Sequence, residues 1–201
     1  MNHCFYRIVW SLAFCLLLSC SYSKNFTNNY YRENETLLQS MKQRFKQLYE
    51  EHNFSLEIKD KSFKQVGLEI ISDTLRYIYD FSIDDPSLID TLYKYKFNAS
   101  EIVSLINDMQ KTHCTWITNL DYYEKQEKKF LVFISIRHRK LESVFKKDKY
   151  FTLAFFNSPQ PFDKNGRLLD KKDHRQLRKI NGAILFRIND KVGYALNDKF
   201  R

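Results

Sequence analysis

An α+β domain, with N-terminal amphipathic helices packed on a C-terminal antiparallel sheet of about five strands, is the fold class that this chain of 201 residues predicts. Three observations predict it. Before about residue 112 apolar residues recur mostly at helical spacing, and beyond it come runs of aromatic and β-branched residues bounded by turn or charged segments. The links between those runs are short or moderate, which favours antiparallel order over crossovers. Helices first and strands after them make an α+β arrangement, in which the helices gather on one side of the sheet.

The first element reads as an export signal over 1–19. Arg7 precedes the apolar run 8–18, the layout of a positive n-region followed by a short h-region. The run is too short to span a bilayer, which takes about 20 apolar residues. At its end, Leu17-Leu18-Ser19-Cys20 resembles the bacterial lipoprotein processing box. The resemblance implies that the Cys20 thiol receives a diacylglycerol, that the signal is cut before it, and that the freed amine takes a further, palmitate-type chain. One acyl chain binds membrane only marginally, whereas two or three make an effectively permanent anchor. Ser21 follows where an aspartate would favour inner-membrane retention, so the resemblance implies a cell-envelope protein of the outer rather than the inner membrane in a Gram-negative host. Cys4 and Cys15 would leave with the signal and Cys20 would become a thioether, so Cys114 is left without an intramolecular disulfide partner and is expected to be buried.

Residues 20–35 form the lipidated N-terminus and, being polar without sustained periodicity, a short tether. The single domain is expected over 36–201. From 36 to 52, Leu37, Leu38, Met41, Phe45, Leu48 and Tyr49 recur at three and four, giving an amphipathic helix. Residues 54–58 alternate as a short strand. Residues 62–79 place Phe63, Val66, Ile70, Ile71, Leu75 and Ile78 at mostly helical spacing, interrupted by Gly67, and are expected as a second helix. Asp84-Asp85-Pro86 opens a third, with an acidic cap and a proline in the first turn, and Asn98-Ala99-Ser100-Glu101 opens a fourth. Strands are expected at 114–120, 129–138, 150–156, 182–188 and 191–196, with Asn189-Asp190-Lys191 as a tight hairpin turn. The run 130–136 is apolar on both faces, as befits a strand in the middle of the sheet.

Thirteen Tyr and seventeen Phe against four Gly and three Pro point to a packed domain, and the net charge of +9, or +8 without Arg7, points to acidic partners. For an exported chain those are lipid phosphate, acidic polysaccharide or an acidic protein, and a nucleic acid is excluded. Two basic stretches are local enough to form one anionic-partner surface: Arg137 and Arg139 at the end of a strand, and Lys172, Arg175 and Arg178 in a short helix or loop. The same charges also fit a solvated rim.

No motif names a chemistry. The segment 163–167 has oxygen ligands beside Gly166 but lacks the glycine and glutamate positions of a calcium hand, and an Asn-Gly turn accounts for it. His113 and Cys114 are adjacent and would point to opposite faces of a strand. The histidines lack zinc spacing, and there is no phosphate loop or nucleophile elbow, so neither cofactor nor metal is expected. The expected function is binding of a macromolecule without catalysis, of the immunity or envelope-accessory type. The alternative is an envelope hydrolase acting on peptidoglycan, lipid or polysaccharide, with carboxylates or Cys114 at an unpatterned site.

Overall fold

The computed structural model describes the backbone of residues 2–72, 74–124, 127–137 and 150–197, and side chains within 25–72, 74–120, 129–137 and 150–196. The chain divides into two units, Met1–Glu35 and Thr36–Arg201. Helix α1 (Asn2–Glu51) gives residues 2–35 to the first and 36–51 to the second. In the first unit Tyr31 donates to Glu35 at 3.1 Å and Asn34 donates to the Tyr30 carbonyl at 2.9 Å, both one helical turn apart. Residues 25–35 are therefore helical although their sequence carries no sustained apolar period. Among the described residues no helix is long and apolar enough to cross a membrane.

The second unit is built on an antiparallel sheet of eight strands, where about five were expected. The strands of the unit among the described residues are β1 (Phe54–Ile58), β2 (Gln65–Ile71), β3 (Arg76–Ser82), β4 (Cys114–Glu124), β5 (Glu127–Arg137), β6 (Tyr150–Phe156), β7 (Lys179–Ile180), β8 (Ala183–Ile184), β9 (Phe186–Asn189) and β10 (Val192–Asn197). All but β7 and β8 share the sheet, in the order β3-β2-β1-β4-β5-β6-β10-β9, and those two form a separate ribbon. The expected strand 182–188 is thus two pieces in different sheets, parted at buried Leu185. β5 lies inside the sheet, between β4 and β6, as its two apolar faces require.

The larger correction falls at 62–79, where the expected helix is the hairpin of β2 and β3. Val66, Leu68 and Ile70 are buried along β2, while Leu75 and Ile78 are 54 % and 60 % exposed, so the three-and-four spacing mixed residues of different environments. Two turns hold the hairpin in place. Asp60 accepts from the backbone N–H groups of Lys64 and Gln65 at 2.8 and 2.7 Å, and Ser72 Oγ accepts from Leu75 N at 3.0 Å and donates to its carbonyl at 2.9 Å. Local side-chain bonds of this kind compete with helix and favour turns.

Helices α2 (Pro86–Lys94) and α3 (Ala99–Thr112) begin where expected. Asp85 caps α2 through Ser87 N with Pro86 inside the first turn, and Asn98 caps α3 through Glu101 N. α3 ends at His113 in the left-handed region, φ 53°, and the chain enters β4 at once.

One sheet face packs under the helices. Leu38, Met41, Phe45 and Leu48 are buried on α1, and Phe45 meets Phe54 at 5.0 Å between ring centres while Tyr49 meets Phe130 at 5.4 Å. Each such side chain contributes about 1.5–3 kcal/mol by burial. On the opposite face Leu131, Phe133, Ala154, Phe156 and Ala195 are covered by Leu168, Ile180 and Leu185 from the segment that follows β6. The central strands are therefore apolar on both sides because both sides are covered.

Candidate functional site

The expected basic surface falls on two elements. Arg137 ends β5 opposite Tyr150, and Arg139 lies outside the described residues. Lys172, Arg175 and Arg178 belong to a loop and not to a helix. Leu169 bridges Leu177 at its base, Asp170 N donates to the Gln176 carbonyl at 2.7 Å, and Gln176 N donates to the Asp173 carbonyl at 2.9 Å. The carboxylates of this loop are engaged by its own backbone: Lys172 N donates to Asp170 at 2.7 Å and Arg175 N to Asp173 at 2.9 Å. The Lys172 amide holds the Asp170 carboxyl below its usual range, aided by the Asp173 amide and then by the charges of Arg178 and Lys172. Lys172 and Arg178 thus flank an aspartate. Arg137 stands four residues beyond Phe133, where Leu168 and Ile180 cover the sheet, a separation of roughly 13 Å along the strand.

The segment 163–167 is a turn. Asp163 Oδ1 accepts from Asn165 N and Arg167 N, both at 2.8 Å, its Oδ2 accepts from Arg167 Nε at 2.9 Å, and Gly166 sits at φ 77°. The Arg167 backbone amide is the main reason that this carboxyl lies below its usual range.

Cys114 is fully buried and its thiol donates to the Trp116 carbonyl at 3.3 Å. Burial pushes its pKa up to about 12, so the nucleophilic thiolate is absent at neutral pH. The described histidines are structural neighbours of aromatic rings or lie at a turn: His52 packs on Phe97 at 4.9 Å, His113 on Phe63 at 5.4 Å, and His174 is exposed, whereas His138 lies outside the described residues.

A different pair of cations converges. Lys42 on α1 and Lys191 in the turn between β9 and β10 line one cleft of 380 Å³, together with Gln39, Phe155, Pro159 and Asn189. The turn is fixed from several sides. Lys191 N donates to Asn189 Oδ1 at 2.8 Å, Phe156 N donates to the Lys191 carbonyl at 2.8 Å, and Gln160 N donates to the Asp190 carbonyl at 2.8 Å. Burial lowers the Lys42 pKa, and the neighbouring charges of Lys46 and then Lys191 lower it further. Asp190 also lines the cleft, but its carboxylate is engaged by Arg187 at 2.6 Å, and Glu50 lies 3.6 Å from Lys46. Two lysines lining one cleft with the apolar Phe155 and Val192 make a place for a carboxylate or a phosphate, at the lower end of the ~300–1,000 Å³ usual for ligand pockets.

A second cleft, of 520 Å³, lies beside Arg44, Leu48, Asn98 and Glu101. Its cation is committed to structure, since Arg44 binds Glu101 at 2.9 Å and also Asp108, joining α1 to α3.

Sequence reasoning places Lys42 on the polar face of the first helix. The overlooked signal is spacing: Leu38, Lys42, Phe45 and Tyr49 follow one another at four, three and four, so a lysine occupies a position in the apolar stripe. No family model matches the chain, and no curated protein and no solved structure matches it either.

Proposed function

We propose that this chain is a lipid-anchored cell-envelope protein, held through Cys20, whose folded domain binds an anionic macromolecular partner without doing chemistry on it, as an immunity-type or envelope-accessory lipoprotein would. The observation that carries the reading is the convergence of Lys42 and Lys191 on one cleft whose own carboxylate is already paired. Like charges held together store repulsion that an incoming anion relieves, and a partly desolvated ammonium gives a stronger charge-assisted bond than one in bulk water. The high pKa of Cys114 speaks against the thiol hydrolase among the alternatives. The loop carrying Lys172, Arg175 and Arg178 would add long-range attraction and on-rate, not a desolvated anchor.

The test uses the full chain, with a glutamate-rich peptide and vesicles of anionic lipid as separate probes. Lys42→Glu with Lys191→Glu should weaken binding to one of these probes by at least about tenfold at moderate salt, while Lys172→Glu with Arg175→Glu should mainly slow association and flatten its dependence on salt. Which probe responds distinguishes an acidic protein from lipid phosphate. Affinity should also fall as pH climbs through the lowered Lys42 value, before 10.5 is reached, because the anion favours the charged amine. Equal losses from both pairs of reversals would mean that net charge alone matters, and the cleft would have no role.

A further inference from the structure

The two edges of the eight-stranded sheet differ. At β9 the edge is covered: Arg187 N donates to the Gly166 carbonyl at 2.7 Å, Leu168 N donates to the Leu185 carbonyl at 2.8 Å, and Arg167 bridges Phe186. At β3 nothing comparable is present among the described residues. Its pairing with β2 runs without a bulge from Ile71↔Arg76 to Gln65↔Ser82. Ile83 N donates to the Lys64 carbonyl and Ser72 N to the Leu75 carbonyl, both at 2.9 Å, so the odd-numbered residues of β3 turn their backbone groups toward β2. Antiparallel alternation then turns the N–H and C=O groups of Arg76, Ile78 and Asp80 outward, while the Ser82 carbonyl is taken by Asp85 N at 2.9 Å. Proteins usually blunt such an edge with proline, a bulge, charged side chains, lysine above all, or a covering segment. β3 carries no proline, bulge or lysine, its charged residues are Arg76 and Asp80, and it shows Ile78 at 60 % and Tyr77 at 39 % exposure.

We propose that β3 pairs antiparallel with β3 of a second copy of this chain, about a two-fold axis at Ile78. The sequence Arg76-Tyr77-Ile78-Tyr79-Asp80 is self-complementary in that register. Ile78 stands opposite Ile78, Arg76 of each copy stands opposite Asp80 of the other, and on the helix-bearing face Tyr77 stands opposite Tyr79. Arg76 lies 3.2 Å from Glu69 in its own sheet, and Asp80 is paired with Lys59. Across the seam the charges would therefore read Glu69, Arg76, Asp80, Lys59, alternating in sign. Moving the axis to Asp80 would set the two Asp80 carboxylates against each other, which disfavours that register. A second copy supplies both the isoleucine and the opposite charges by symmetry. A single strand edge buries less than a standard interface, so the association is weak and concentration-dependent.

Sedimentation of the full chain in mild detergent tests this over a range of concentrations. The wild type should shift reversibly from monomer to dimer. Arg76→Asp and Asp80→Arg should each raise the dissociation constant roughly tenfold or more, because each sets like charges opposite one another twice in the dimer. Mixing these two variants should restore association. One copy is then acidic at both positions and the other basic at both, so each cross-strand pair again joins opposite charges. That rescue separates a broken seam from a damaged fold. A wild type that stays monomeric at every concentration, or two variants that do not complement each other, would overturn the proposal. So would a monomer whose β3 instead takes up a strand of another protein.

Discussion

Cys114 shows how a single side chain is made inert by its surroundings. It opens β4 beneath the helices with no solvent contact, and burial raises its pKa from 9.0 to about 12. A thiol that holds its proton more tightly when folded contributes stability in full below about pH 9, and that contribution is lost as pH rises toward about 12. Native protein should therefore resist a maleimide reagent near neutral pH and label rapidly in denaturant; fast native labelling would reinstate the thiol as a nucleophile. Cys114→Ala should cost about 1 kcal/mol, read by urea unfolding, and leave partner binding unchanged. Cys20 belongs to the residues whose side chains are not described, and its role is tested chemically. Labelled fatty acid should enter the wild type and not Cys20→Ala, and equal label in both would remove the anchor from the proposed function.

Elements meet through a few specific contacts laid over apolar burial. α1 and α3 are tied by Arg44, which reaches Glu101 and the buried Asp108, while Lys111 lies 3.2 Å from the same aspartate and is mostly exposed. Removing the arginine would leave a carboxylate with only a solvated partner. Arg44→Met should lower stability by about 2 kcal/mol, less than the ~3–5 kcal/mol of a wholly buried pair because Lys111 remains. Arg44→Met combined with Asp108→Leu should recover part of the loss in the same urea measurement. A double variant no more stable than the single one would show that packing of the arginine stem, and not the stranded charge, dominates. Caps act at the same scale. Asp85 with Pro86, and Asn98, start α2 and α3 at the residues that the sequence marks, because a cap needs partners only two or three positions away. The hairpin of β2 and β3 escaped the same reading, because Phe63, Val66, Ile70 and Ile71 satisfy helical spacing as well as they satisfy a strand. Pairing of Val66, Leu68 and Ile70 with Ile58, Leu56 and Phe54 decides between them.

In the molecule as a whole, charge is dispersed and only long-range packing concentrates it. The net charge of +9 predicts an acidic partner but not where that partner would sit. The stretch 171–179 is densely basic in sequence, yet Asp170 and Asp173 are folded into the same loop and temper it. Lys42 and Lys191 are isolated in sequence and lie on one cleft, because α1 packs on the sheet face beside β6 and β10. Salt dependence distinguishes the two arrangements: exposed charges fade beyond about 10 Å at 0.1 M salt, while the half-buried Lys42 is screened less. Binding that survives higher salt in the wild type and is lost with Lys42→Glu would mark the cleft as the anchor. The α+β class, the starts of α2 and α3, the central place of β5, the turn at Asn189-Asp190-Lys191 and the burial of Cys114 were all legible in the order of residues, because each follows from near neighbours or from the bare count of apolar side chains. The hairpin at 62–79, the sharing of one sheet by eight strands, the contrast between a covered edge and an open one, and the meeting of two distant lysines on one cleft were not. Those outcomes depend on which strands pair and which faces meet, and side chains far apart along the chain set those free energies together.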